Sequence, residues 1–166
     1  MAGVTPLRWA IVGPGRIAHR FAQAVQGLPQ AQLVAVTGRN AERALAFAHC
    51  WQSPGPGAVD VAPDLATLLA RADVDAVYVA TPHSHHAEAV AAALQAGKAV
   101  LCETPLVPHT AAALPLVALA QARGVFLMEA VWTRFLPIYA QVQLWLQQGR
   151  IGTLRSVHSS FCFHAP

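Results

Sequence analysis

Charge is scarce in this chain. Only 11% of the residues are Asp, Glu, Lys or Arg, against ~25% in an ordinary soluble domain. So thin a charged complement implies extensive buried surface, and some surface meant to be covered by something else. The net charge of +3 comes from scattered arginines, which leaves no basic stripe for nucleic acid. A modest excess of arginine suits a phosphate-bearing small ligand equally well. Cysteine is scarce too: the three present, Cys50, Cys102 and Cys162, are odd in number and far apart. No pair has metal-ligand or redox-motif spacing, so they read as reduced packing residues of a cytoplasmic protein. Long apolar runs are missing. No stretch reaches the ~18 residues of a membrane helix, and the nearest, the Ala-rich run after Thr110, is broken by Pro115 and Gln121. No signal peptide is read at the start, where the first apolar run is already a strand. No internal repeat is found, and 166 residues make one domain of ordinary size with a real core.

What is present is organised around Arg8-Trp9-Ala10-Ile11-Val12-Gly13-Pro14-Gly15-Arg16-Ile17-Ala18. An apolar, β-branched run stops at Gly13-x-Gly15-x-x-Ala18, and a helical pattern starts at once. That is the strand–turn–helix setting a dinucleotide fingerprint requires. Gly13 lets the chain turn off the strand, Gly15 lets a pyrophosphate approach the backbone, and Ala18 lets the helix pack close. Arg16 and Ile17 open a helix whose free N–H groups and partial positive charge face the phosphates.

Strand and helix patterns then alternate. Leu7–Val12 is followed by a helix over Ile17–Gln26, and Gln32–Thr37 by a helix over Ala41–Ala48 with Asn40 as N-cap. Ser53–Gly57 is a loop, Ala58–Val61 a short strand, and Pro63-Asp64 opens a helix to about Ala72. Asp75–Ala80 is nearly all apolar, as a buried parallel strand should be. A helix over His85–Ala96 ends at Gly97, and Ala99–Cys102 is the next strand. A helix reaches Arg123 and Gly124, with Pro115 implying a kink or a late start. Val125–Met128 reads as a strand, Pro137–Gln148 as a helix and Leu154–Phe163 as an alternating strand. The repeated βα units predict an α/β, doubly wound parallel sheet of Rossmann type. The last strand follows a complete unit and has nothing downstream to pack on. Either a second chain pairs with it, as in a homo-oligomer, or the sequence is a truncated piece of something larger.

Strand ends carry the chemistry. After strand two an NAD site usually has Asp or Glu for the ribose 2′-hydroxyl; here stand Thr37-Gly38-Arg39-Asn40. Arg39 can pair with a 2′-phosphate, which favours NADP over NAD; the alternative is a solvated arginine at a helix start. Thr81-Pro82-His83-Ser84-His85-His86 follows the central strand. Three histidines in four positions invite a metal reading, but adjacent residues at a helix start converge poorly on one ion, so no metal site is assigned. Instead His83 is expected to line the cofactor cleft, His86 to cap or pack in the first turn, and His85 to be exposed. Glu103, in Cys102-Glu103-Thr104-Pro105, places a carboxylate at the same edge. Glu129–Phe135 brings Trp132 and Phe135 to it, either lining a substrate pocket or packing on a neighbouring domain.

With GPGRIA, VTGRNAERA, DAVYVATPHSHHAEAVAAALQAGKAVLCETPL and MEAVWTRFLP in place, the chain resembles the Gfo/Idh/MocA oxidoreductases, above all the branch of dimeric dihydrodiol and NADP-dependent xylose dehydrogenases. The resemblance implies a Rossmann domain over residues 1–130. Residues 131–166 then open a substrate domain with a mostly antiparallel sheet. It implies hydride transfer between nicotinamide and a sugar or diol carbon. Gly13, Gly15 and Ile17 fall in the pyrophosphate turn and Arg39 at the 2′-phosphate. Thr81, Pro82, His83, His86 and Glu103 fall around the nicotinamide half, and Trp132 and Phe161 match aromatic positions near the substrate. Two departures stand out. The family's Glu-Lys-Pro is here Glu103-Thr104-Pro105, and a threonine hydroxyl ionises far too high to replace a lysine base. Family members also run to about twice this length. Three readings follow: an oxidoreductase represented by its N-terminal half, a cofactor-binding module without turnover, or a structural partner whose terminal strand completes another chain's sheet.

Overall fold

The computed structural model describes residues 5–52, 58–160 and 162. The expected Ser53–Gly57 loop and Phe161 lie outside the described residues. The chain divides into two compact units, Met1–Ala130 and Val131–Pro166.

The first unit is a parallel six-stranded sheet: β1 (Leu7–Val12), β2 (Ala31–Thr37), β3 (Asp60–Val61), β4 (Ala76–Val79), β5 (Ala99–Cys102) and β6 (Leu127–Glu129). The order is β3-β2-β1-β4-β5-β6, and every pairing is parallel. Side chains alternate across a strand, and β1 and β4 each feed two cores. Ile11 and Tyr78 join Ala18, Ala22 and Phe47 under α1 (Arg16–Gln26) and α2 (Ala41–Cys50). Ala10, Val12, Val77 and Val79 join Leu68, Val90, Leu94 and Leu116 under α3 (Leu65–Leu69), α4 (His86–Gln95) and α5 (Thr110–Arg123). Helices on both faces explain why these strands read as unbroken apolar runs.

Local signals set most boundaries. Asn40 accepts the Arg43 amide at 2.8 Å and Asp64 accepts the Thr67 amide at 2.7 Å, capping α2 and α3. Helix α5 begins at Thr110, ahead of Pro115, so the late start does not occur. The His85–Ala96 helix divides into a 3₁₀ turn, His83–His85, and α4.

In the second unit a 3₁₀ turn, Trp132–Phe135, precedes α6 (Pro137–Gln147). Residues 154–160, expected to be a strand, form none. Alternation marks which residues would face one way, but a strand exists only by hydrogen bonding to a neighbour. Among the described residues none pairs with this segment.

Candidate functional site: a cleft at the carboxyl edge of the sheet

The strand order reverses between β1 and β4, and open α/β sheets take ligands at the carboxyl ends beside such a switch. A cleft of about 730 Å³ lies there, lined by the ends of β1 (Val12, Gly13), β2 (Thr37, Gly38) and β4 (Ala80, Thr81) among others. Its floor is tightly built. Gly13 has φ +94°, and a Cβ there would stand 2.8 Å from the Ala80 carbonyl oxygen. A Cβ on Gly38 would meet Pro14 Cδ at 2.5 Å. Neither position therefore accepts a side chain without moving its neighbour. Gly15 differs: a Cβ there would meet nothing within 4 Å, so it faces open space. It is also the N-cap of α1 and supplies no side-chain cap, leaving first-turn N–H groups for a ligand. Thr81 Oγ1 is buried beside the cleft with no hydrogen-bond partner, and buried hydroxyls are rarely left so. An open, uncapped helix start and an orphaned hydroxyl on one cleft fit a dinucleotide.

Among the proposed cofactor residues, Gly13, Gly15, Gly38, Arg39, Thr81 and Pro82 line this cleft. Arg16 and Ile17 are exposed on the first turn of α1, and Ala18 is fully buried against the sheet. Two histidines exchange places relative to expectation. His85 lines the cleft, whereas His83 is exposed and is absent from its lining. The 3₁₀ turn over His83–His85 gives these neighbours different directions, which one-letter adjacency does not encode. His86 is fully buried. Its Nδ1 lies 2.8 Å from the Pro105 carbonyl oxygen and its Nε2 2.8 Å from that of Thr81. It thus ties the loop after β4 to the loop after β5. Among the described residues no group of three or more His, Cys, Asp or Glu could hold a metal ion.

The loop after β5 is held from three sides. Tyr78 donates its hydroxyl to Glu103 Oε1, Glu129 Oε1 accepts the Leu106 amide at 2.8 Å, and His86 holds Pro105. The Thr104 amide donates to Glu103 Oε2 at 3.2 Å. Tyr78 is set in turn by stacking on Phe21 of α1, ring centroids 3.9 Å apart. Burial, then the neighbouring carboxylate, pushes the Tyr78 phenol far above its ordinary value, so it remains a donor. Burial, with Glu103 and Glu129, raises the Cys102 thiol to about 12, so it is no nucleophile. Thr104 is exposed at the tip of this braced loop. The chain's one lysine, Lys98, cannot stand in for a base there. Its Nζ donates to the Arg71 and Val74 carbonyls at 2.7 and 2.8 Å.

The sequence reading missed Arg43, His85 and Asp64, which also line the cleft, and the Tyr78–Glu103 contact. Arg43 had a legible signal, since it falls in the first turn of the helix that Asn40 caps, just after Arg39. Trp132 is exposed in the second unit.

These features define a Rossmann domain with a cleft of the dinucleotide-binding kind. The profile GFO_IDH_MocA, described as an oxidoreductase family with an NAD-binding Rossmann fold, matches residues 7–131; the chain belongs to the Gfo/Idh/MocA family. It is 41% identical over 160 residues to trans-1,2-dihydrobenzene-1,2-diol dehydrogenase of Mus musculus, covering 95% of this chain and 46% of that protein. The Homo sapiens enzyme of the same name is 40% identical over 158 residues, 93% of this chain and 46% of its own length. The chain therefore spans about half the length of these relatives. A crystal structure of KijD10, a 3-ketoreductase from Actinomadura kijaniata holding NADP, superposes with a TM-score of 0.76 at 38% identity, covering 89% of this chain and 46% of that one. A single-site variant of it, with TDP-benzene and NADP, gives 0.80 at 38% identity, covering 91% and 45%. No helix among the described residues is long and apolar enough to cross a membrane.

Proposed function

We propose that this chain binds NADP, in preference to NAD, at the carboxyl edge of its sheet. It is then the cofactor-binding part of an oxidoreductase that moves a hydride between nicotinamide and a hydroxyl-bearing carbon of a sugar or diol. The observation that carries this reading is the pairing of an uncapped α1 start at Gly15 with two arginines, Arg39 and Arg43, on the same cleft. Gly13 and Gly15 would shape the turn around the pyrophosphate, and the first-turn amides of Arg16 and Ile17 would hold it, because the Ala18 amide already donates to the Gly15 carbonyl at 3.1 Å. Gly38 gives the backbone its close pass, and Arg39 and Arg43 would take the 2′-phosphate, because guanidinium forks match phosphate oxygens. Thr81, whose hydroxyl lacks a partner, and Pro82 would face the nicotinamide, with His86 buried behind them and holding the Thr81 carbonyl; His83 and Glu103, outside the cleft lining, are assigned to the nicotinamide side by resemblance. A bound nicotinamide supplies the hydride acceptor or donor. The residues of this chain orient it and shield it from water. Trp132 and Phe161 are assigned to the substrate by resemblance alone. Three free cysteines, none paired, support a cytoplasmic setting.

A second reading has its own observation. Thr104 sits where the family carries lysine, and Lys98 is committed to two carbonyls. The chain is then a binding module without turnover, since one missing acid–base group typically costs ~10²–10⁴-fold in rate. Calorimetric titration with NADPH and NADH separates binding from its absence. Saturable binding, tighter for NADPH by about tenfold, supports the first reading. Equal affinity for both removes Arg39 and Arg43 from the 2′-phosphate. Thr104→Lys, in a chain carrying a complete substrate domain, then distinguishes the two readings. If dihydrodiol or sugar oxidation with NADP does not rise, residue 104 is not where the base belongs.

A further inference from the structure

The cleft is lined by charge of both signs, Arg39 and Arg43 with Asp64 and Glu88, and two more carboxylates stand at the same edge of the sheet outside its lining. Arg39 and Arg43 stand at the β2 end of the cleft. Glu103 stands just past the end of β5, and Glu129 is the last residue of β6. No ion pair among the described residues includes either carboxylate: the three present join Arg8 to Asp75 and Arg71 to Asp60 and Asp73. Both carboxylates are nonetheless fixed in place. Glu103 accepts from the Tyr78 hydroxyl and, at 3.2 Å, from the Thr104 amide, and Glu129 accepts from the Leu106 amide at 2.8 Å. These partners are neutral, so they orient the negative charge without cancelling it. A lysine at 104 would place an ammonium beside Glu103, and a threonine places none.

Oxidised and reduced nicotinamide differ by one charge. The oxidised ring is a cation, the reduced ring is neutral, and the phosphate end is the same in both. We propose that Glu103, held by Tyr78 and left uncompensated by Thr104, makes this chain discriminate between the two redox states in favour of NADP+. This rests on the cofactor reading above, since it needs the nicotinamide to reach the β4–β5 end of the cleft. Glu103 is here a specificity-determining residue and Tyr78 a positioning one. The discrimination is modest, because Glu103 is only partly buried and exposed charge pairs are screened. About fivefold is the scale expected of such a pair.

The test is a set of calorimetric titrations of the chain with NADP+, NADPH and 2′,5′-ADP, the last lacking the nicotinamide. NADP+ should bind about fivefold more tightly than NADPH at low salt, with the ratio shrinking as salt rises. Glu103→Gln keeps shape and removes the charge, and should bring the two within about twofold. Thr104→Lys, at an exposed position, should do the same by adding the opposite charge. Tyr78→Phe should reduce the ratio while leaving 2′,5′-ADP affinity unchanged, which separates positioning of Glu103 from loss of structure. The inference is overturned if wild type binds NADPH as tightly as NADP+, or if the preference survives both Glu103→Gln and Thr104→Lys. Binding of 2′,5′-ADP with no redox preference fails this inference alone. Failure of 2′,5′-ADP to bind at all fails the cofactor reading and this one with it.

Discussion

Where the strands of this sheet begin, charge is paired off. Arg8 holds both oxygens of Asp75 at 2.8 and 2.6 Å, Arg71 bridges Asp60 and Asp73, and Lys98 is spent on two carbonyls. Where the strands end, Arg39, Arg43, Glu103 and Glu129 form no ion pair among the described residues, and a buried threonine hydroxyl lacks a partner. One edge settles its electrostatics internally. The other leaves them for a ligand to complete. In a chain with so little charge, the contrast separates residues that hold the fold from residues that hold something else.

The contrast is broken most severely at Gly13. Valine there needs a backbone with φ +94° and a Cβ 2.8 Å from the Ala80 oxygen. Gly13→Val should cost about 3 kcal/mol and abolish NADPH binding, read by thermal unfolding and titration. His86→Leu comes next. It leaves the Thr81 and Pro105 carbonyls, now each 2.8 Å from a ring nitrogen, without that partner. About 2 kcal/mol should be lost in urea unfolding, together with NADPH affinity, because the loop carrying Thr81 lines the cleft. Should His86→Leu lower stability but leave affinity intact, the clamp would belong to the fold-holding set instead.

The glycine turn, the alternation and the strands flanking the switch point were legible in the sequence because their signals are local. They are periodicity, caps and glycines. What was not legible is contact between distant residues. Tyr78 reads as one more apolar-strand residue, yet Phe21 and Glu103, far apart in sequence, decide its role. The direction of each histidine after Pro82 depends on a 3₁₀ turn rather than on composition. The alternation over residues 154–163 specified faces without a partner strand, and no strand resulted over 154–160. Thr104 was the exception among site residues. Its departure from Glu-Lys-Pro shows in one letter, although the bracing of the loop beneath it does not.

Arg39→Ala and Arg43→Ala sharpen the comparison at the ligand edge. Each should weaken NADPH by about tenfold and NADH little, with no change in unfolding midpoint, since neither arginine has an ion-pair partner to lose. Raising salt should erode the difference. A loss of stability in either variant would show that the arginine also serves the fold.

The smallest expected effect lies at the opposite edge. The Arg8 guanidinium, by hydrogen bonding, holds the Asp75 carboxyl at about 2, below its ordinary 3.8, although burial acts against it. A carboxyl lowered on folding contributes stability above its unfolded pKa and loses it as pH falls through the folded one. A shift of that size corresponds to roughly 2.5 kcal/mol. The two side chains are 35% and 34% exposed, however, and solvent screening reduces this to about 1 kcal/mol. Asp75→Asn should therefore be about 1 kcal/mol less stable at pH 7. The two proteins should converge as pH falls from about 4 to about 2, followed by urea unfolding across that range. Because Asp75 stands where the strands begin, NADPH affinity at pH 7 should be unchanged by the substitution. A variant that also bound NADPH more weakly would mean that the paired edge helps set the geometry of the unpaired one, and the division between the two would fail.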